Sequence, residues 1–440
     1  MFNKDMEALT ADEKEKIQLE RLQNTVKRVY DNVPFYRKKF NEKQIEPKDI
    51  RGLDDIQKLP FTVKSDLREN YPFGLFATPV NKLKRIHASS GTSGKPTVVG
   101  FTDNDLDVWG EVVARAIAAS GGAPGEILHN AYGYGLFTGG LGIHYGSEKL
   151  GMVTVPVSGG NTDRQITLID DFKPSVITAT PSYVLNIIDK IEALGKDPSS
   201  TSLRYGIFGA ETWSEEMRIT LQNRLGIKAM DIYGLSEVMG PGIAIECKEA
   251  QDGLHIADDH FYVEVINPDT LEPATDGEEG ELVFTSLTKE AFPIIRYRTG
   301  DIASLTKEPC SCGRTSIRMS RVKGRIDDML IIRGVNVFPS EIESVLLKIK
   351  ELAPHYQLVI SNEGTMDQVT LKVEVDEKLY QSINEDLKND KIKKLKKYIS
   401  KKLKNACLVT IDTKIESPFS IPRADGKAIR IVRDSQVVTQ

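Results

Sequence analysis

Several short stretches of this chain carry side chains suited to holding a phosphorylated nucleotide. The first is Ser89-Ser90-Gly91-Thr92-Ser93-Gly94-Lys95. Glycines let backbone N–H groups come close to phosphate oxygens, and the hydroxyls and the lysine add donors. It is not a Walker A loop. Gly91 and Gly94 are only two residues apart, and Pro96 stands where that motif needs Ser or Thr. The second is Tyr233-Gly234-Leu235-Ser236-Glu237. Its ring could stack on a base, and its carboxylate could hold Mg²⁺ on phosphates. The third ends in Asp301, which could accept both hydroxyls of a ribose. A fourth runs from Gly324-Arg325 through Asp327 into RGVNVFPSEIE. The fifth is PRADGKAIR, with Lys427 on a glycine-flanked loop. A lysine there is a compact mobile charge, suited to a developing phosphate charge. Singly, the first reads equally well as a flexible loop, the second reads better as a core tyrosine with a solvated glutamate, the third as a surface turn with a salt bridge, and Lys427 as one more surface lysine.

The elements that must position these residues can be read around them. Apolar positions predict a helix over 12–30. Between about 85 and 235, short apolar segments alternate with turns and helical stretches. Ser175–Ala179 meets Thr180-Pro181-Ser182, Tyr205–Phe208 meets Gly209-Ala210-Glu211, and Lys228–Ile232 meets Tyr233-Gly234. Strand, tight turn, helix, repeated, is α/β organisation, and polar residues after strands are where open α/β sheets bind ligands. From about 253 to 305, Phe261–Ile266 and Glu281–Phe284 with turns between them predict an antiparallel, barrel-like section. After Asp327 the pattern resets. Ile342, Val345, Leu346 and Ile349 mark a helix face, with Ser340 and Glu343 as an expected capping box. Strands at 356–361 and 368–375, a helix near 378–404 and a strand near 407–412 complete a small α+β domain. The expected division is 1–326 and 327–440.

Composition agrees with an enzyme of this size. The chain has 440 residues, 28% charged and 40% hydrophobic, with net charge −5. That balance argues against a general nucleic-acid binder. The charged N-terminal segment has no apolar signal region, and no apolar run approaches the length of a membrane helix. A cytoplasmic location with no membrane partner is the expectation.

Taken in order, the five motifs resemble the adenylate-forming superfamily, and within it the chain looks like the phenylacetate–CoA ligase family. LQNTVKRVYDNVPFYRKKF, AYGYGLFTGGLG at 131–142, FGAETWSEEMR at 208–218 and DDMLIIRGVNVFPSEIE at 327–343 carry the likeness. Ser236 stands where many superfamily members have Thr, which keeps the hydroxyl. The resemblance implies an acid–CoA ligase using ATP, Mg²⁺ and coenzyme A, with an aryl-acetic acid such as phenylacetate as substrate. It implies that residues 89–95 hold the β- and γ-phosphates. Gly209, Ala210 and Glu211, with Tyr233 and Gly234, would form the adenine site. Ser236 would meet the α-phosphate, Glu237 would bind Mg²⁺, and Asp301 and Arg325 would hold the ribose. Lys427 would serve adenylation. Asp327 would be the hinge of a mobile C-terminal domain, and Gly334 would let pantetheine pass. The acid would sit among Tyr132, Tyr134, Gly135, Phe137 and Gly139. A homodimer is the expected assembly. Two other readings stay open: loading of a carrier-protein thiol, and a non-catalytic nucleotide-binding protein of the same fold.

Cys247, His255, Cys310 and Cys312 could make a Cys₃His zinc site, although the one-residue gap between Cys310 and Cys312 is tighter than usual. His260 competes with His255 for the histidine position. The eight lysines of KIKKLKKYISKKLK at 391–404 flank an apolar stripe of Ile392, Leu395, Ile399 and Leu403, as in a solvated amphipathic helix.

Overall fold

The computed structural model describes residues 1–89, 96–332, 335–363 and 366–433. Ser90, Gly91, Thr92, Ser93, Gly94 and Lys95 of the phosphate-loop expectation, and Gly334, lie outside the described residues.

Among the described residues, nine strands form the central sheet. Their spatial order is Leu305–Thr306, Arg318–Met319, Leu254–Ile256, Gly240–Glu246, Lys228–Leu235, Tyr205–Gly209, Val176–Ala179, Ile127–Asn130 and Val153–Val155. The half built from Val153–Val155 to Lys228–Leu235 is parallel, and the rest is antiparallel. Its parallel strands are near-continuous apolar runs such as Val176–Ala179, which is buried throughout, because helices cover the sheet. Helix Pro181–Ala193 begins where its sequence says it should. Thr180 caps its N-terminus and Pro181 fills the first turn. The N-terminal helix spans Ala11–Asn32, and Thr10 and Glu13 form its capping box.

The expected antiparallel section is a four-stranded sheet ordered Phe261–Ile266, Gly280–Ser286, Tyr297–Ala303 and Gly324–Arg325. Leu254–Ile256 and Leu305–Thr306 instead extend the central sheet. Beyond Leu330 a separate apolar cluster forms, from Leu330 and Ile342 through Leu371 and Ile399 to Ile415. It packs the sheet Asp412–Glu416, Met366–Val375, Leu352–Glu363 and Ile431–Arg433 against helices Pro339–Leu346 and Asp390–Cys407.

Three local expectations in this part change. The expected helix near 378–404 is two helices, Glu377–Ser382 and Asp390–Cys407, because Asn384 and Glu385 take left-handed backbone and Asn389 caps a new start. The last helix runs to Cys407, so the expected strand at 407–412 is displaced to Asp412–Glu416. Pro339 sets the start of the preceding helix, so its capping pair is Phe338 and Glu341, not Ser340 and Glu343. The lysine-rich helix does bury Ile392, Leu395, Ile399 and Leu403.

Candidate functional site

The parallel strands deliver their polar residues to one edge of the sheet. Tyr132 follows Ile127–Asn130, Thr180 follows Val176–Ala179, Glu211 follows Tyr205–Gly209, and Ser236 and Glu237 follow Lys228–Leu235. That is the position at which open α/β sheets bind ligands.

The Gly209-Ala210-Glu211 turn is tightly constrained. A Cβ on Gly209 would lie 2.1 Å from the Ile232 carbonyl oxygen, so no larger residue fits. Ala210 has φ of 68°, a left-handed conformation that is costly for a residue with a side chain. The Tyr233 hydroxyl donates to Asp301 Oδ2 at 2.7 Å. Asp301 lies directly across from Arg325 in strand register, and the guanidinium stands 3.5 Å from its Oδ1. Burial raises the Asp301 carboxyl above the usual carboxylate range, with Arg325 opposing. The half-buried Glu237 is also raised by burial. Ser236 and Thr138 share a buried hydrogen bond at 2.9 Å, tying this turn to the start of helix Thr138–Leu150.

Ser89 has a structural duty at the neck of its loop. Its N–H donates to the Thr97 carbonyl at 3.0 Å, and its hydroxyl accepts the Thr97 N–H at 3.1 Å. Around the expected acid pocket, Tyr132 is buried, and Gly139 lies so close to Phe137 that a Cβ would meet that ring at 2.8 Å. The Tyr134 hydroxyl turns toward Asn130 and His144, at 2.8 and 3.2 Å, and Gly135 is exposed. Asp327 is exposed, 3.9 Å from the Lys64 ammonium.

Lys427 stands at the mouth of this site, its Nζ 5.5 Å from the centre of the Phe137 ring. Desolvation by the surrounding protein lowers its ammonium pKa, and Glu211 opposes that shift. The residues on both sides of Lys427 are held by the larger part of the molecule. The Thr180 hydroxyl donates to the Gly426 carbonyl at 2.8 Å, and the Ala428 N–H donates to Glu211 Oε2 at 2.9 Å. Further contacts join the two parts. Glu343 accepts from Ser214, and His355 Nε2 lies 2.8 Å from Asp189 Oδ2. Lys348 pairs with Glu216 at 2.8 Å. Thr138, Thr180, Ser182, Glu343 and Arg430 join the site without belonging to any of the five motifs' expected ligand contacts. Only the Thr180-Pro181 helix start after a strand offered a signal in the sequence.

The fold also gathers Cys247, His255, Cys310 and Cys312, with all four ligand atoms within 4.8 Å of one another. The Cys247 and Cys310 sulfurs are 3.7 Å apart, and Cys312 Sγ is 3.4 Å from His255 Nε2. Ser316 meets His255 Nδ1 at 3.1 Å, leaving Nε2 toward the thiols. Burial pushes this imidazole down to about 3, so it is neutral, as a ligand must be. His260 does not compete. Its ring meets Thr288 at 3.0 Å and Asp259 at 3.2 Å instead.

Comparison with known proteins places this geometry. The AMP-binding enzyme family matches residues 11–288, and the AMP-binding enzyme C-terminal domain matches 334–435. The phenylacetate-coenzyme A ligase of Thermus thermophilus is 51% identical over 441 residues, covering 99% of each chain. A 2-hydroxyisobutyryl-CoA ligase in the postadenylation state, in complex with 2-HIB-AMP, is 28% identical. It superposes with a TM-score of 0.92 over 98% of this chain and 92% of that one. The same ligase in the thioesterification state with 2-HIB-AMP and CoA gives 0.72 at 28% identity, over 98% of this chain and 91% of that one. The two parts of this chain therefore superpose better on that ligase's postadenylation arrangement than on its thioesterification arrangement.

Proposed function

The chain belongs to the phenylacetate–CoA ligase family, and on that premise we propose that it activates an aryl-acetic acid, phenylacetate first among them. The chemistry is ATP-dependent adenylation of a small carboxylic acid followed by ligation to coenzyme A. In the first half-reaction a carboxylate oxygen attacks the α-phosphorus, and the bond to pyrophosphate breaks. In the second, the CoA sulfur attacks the acyl carbon, the bond to AMP breaks, and the thiol proton passes to solvent. The protein contributes placement and charge.

The residue roles are those that the family resemblance implies, and the site's geometry supports them. Lys427 neutralises charge between the acid and the α-phosphate. Ser236, fixed by Thr138, meets the α-phosphate. Asp301, aligned by Tyr233 and Arg325, takes the ribose hydroxyls. Gly209, Ala210 and Glu211 line the adenine with Tyr233 and Gly234, and residues 89–95 take the outer phosphates. Glu237 suits Mg²⁺, because a half-buried carboxylate raised by desolvation gains most from a cation beside it. The ion would neutralise phosphate charge. The aromatic walls of Tyr132 and Phe137 fit a flat ring. The division near Asp327 would let the C-terminal part rotate between half-reactions. The Cys₃His cluster suits a structural zinc, and the protein is expected to work in the cytoplasm; no helix among the described residues is long and apolar enough to cross a membrane.

The observation that carries this reading is Lys427 held beside Phe137 while Glu211, Asp301 and Glu237 all act on its charge. Pyrophosphate release should be screened over aryl-acetic, indolyl and aliphatic acids, with CoA and a carrier protein as alternative acceptors. Phenylacetate should lead, with CoA as acceptor. A preference for aliphatic acids, or transfer only to the carrier, would refute it.

A further inference from the structure

The Glu211 carboxylate divides its two oxygens between the two parts of the molecule. Oε1 accepts the Ser182 N–H at 2.7 Å, and Oε2 accepts the Ala428 N–H at 2.9 Å. Ser182 lies in the first turn of helix Pro181–Ala193, where backbone N–H groups lack partners within the helix and the dipole favours an anion. The same helix start supplies Thr180, whose hydroxyl accepts the Tyr183 N–H and donates to the Gly426 carbonyl. The peptide units on both sides of Lys427 are thus held, one as acceptor and one as donor. On the preceding residue, Gly159 packs against the Asp425 carbonyl so closely that a Cβ would come within 2.9 Å. Farther along, Arg423 is clamped to the buried Glu374 by two bonds of 2.8 Å, which fixes the approach to the loop.

We propose that Glu211 is a positioning residue that fixes the Lys427 loop for adenylation and releases it for thioester formation. This goes beyond lining an adenine site, and it rests on the ligase reading above. The carboxylate is already anchored by Ser182 when the loop arrives, so its second oxygen waits as a fixed acceptor. Any rotation that withdraws Lys427 must break the Ala428 bond and leave the Ser182 bond intact. The hold is therefore specific to one half-reaction.

The test compares wild type, Glu211→Ala, Glu211→Gln, Lys427→Ala and the double variant Glu211→Ala/Lys427→Ala. Three quantities are read: kcat for acid-dependent pyrophosphate release, KM for ATP, and thioester formation from synthetic phenylacetyl-adenylate and CoA. Glu211→Ala should lower kcat about tenfold or more, since a charge-assisted bond is lost. Because Glu211 also lines the adenine site, KM for ATP is expected to rise, so thioester formation is read at saturating adenylate, where it should fall at least about fivefold less than kcat for pyrophosphate release. Glu211→Gln should fall between, because one amide oxygen can accept only one of the two N–H groups well. The double variant should be no slower than Lys427→Ala alone, because Glu211 acts through the lysine. Multiplying losses, a raised KM with unchanged kcat, or equal loss in both half-reactions would overturn the assignment. If the wild type releases no pyrophosphate with any acid, the ligase reading fails first and takes this one with it.

Discussion

Glu343 belongs to the C-terminal part and Ser214 to the N-terminal part, yet the carboxylate of one caps the helix start of the other. Its Oε1 accepts both the Ser214 N–H at 3.0 Å and the Ser214 hydroxyl at 2.9 Å. Its Oε2 accepts from Arg430 at 3.1 Å, and that guanidinium lies over the Tyr356 ring at 4.3 Å. A buried, charge-assisted contact of this kind holds the observed arrangement, and the rotation proposed above would have to open it.

Glu343→Gln keeps the shape and removes the charge. Adenylation should slow by about tenfold, the loss expected for weakening hydrogen bonds to a charged group. Thioester formation from preformed acyl-adenylate should hold steady or quicken. Slowing of both steps alike would show that the contact serves folding and not the choice between arrangements.

Lys427→Ala should lower pyrophosphate release by about 10²–10³, the effect of losing a donor to a developing charge. Conversion of supplied acyl-adenylate to thioester should be largely spared. Single-turnover measurements of each half-reaction decide the matter, and equal losses would remove Lys427 from its assigned step.

Metal analysis of the purified protein should find about one zinc per chain, the stoichiometry of a four-ligand structural site. Cys310→Ser and Cys312→Ser should lose it, with a lower Tm and nearly unchanged kcat at low temperature. Zinc-free protein of undiminished Tm would end the assignment.

His260 gives a test with a pH axis. Burial is the chief cause that pushes its imidazole down to about 4, with Arg21 and Arg115 acting the same way and Asp259 and Glu111 opposing. An unfolded histidine titrates near 6.5, so between roughly pH 6.5 and 4 the unfolded chain binds more protons than the folded one. Stability from this group is therefore complete above that window and is lost as pH falls through it. Relative to His260→Gln, the wild type should lose up to about 1.4 kcal/mol per pH unit across the window. Denaturant titrations at neutral pH and near pH 5 measure the difference. A difference that does not change with pH would contradict the buried, neutral state.

The parts of the fold legible in the sequence were those governed by short-range pattern. Val176–Ala179 and Phe261–Ile266 are marked by apolar runs and flanking turns, and Tyr233 by its place near a strand end, whereas Asp301, expected on a turn, lies within strand Tyr297–Ala303. The missed features depend on partners far along the chain. Ser340 and Glu343 have the spacing of a capping box, but Pro339 starts the helix a step earlier, freeing Glu343 for Ser214, 129 residues away. Nothing near Glu211 indicates that residue 428 will meet it. The tight gap between Cys310 and Cys312 weakened the zinc signal, whereas pairing of Arg318 with His255 across two strands is what draws the loop to its partners.

The bonds that hold the Lys427 loop run to a carbonyl at 426 and an N–H at 428, atoms that every residue but proline supplies alike. Recognition there measures distance along the chain, not the identity of side chains. The flanking positions can vary in kind, provided the N–H at 428 remains. Inserting or deleting a single residue between Arg423 and Ala428 would point the wrong side chain at Phe137. The spacing is the quantity that counts at this loop, and on the role proposed for Lys427 a shift of one residue would leave a folded but idle ligase.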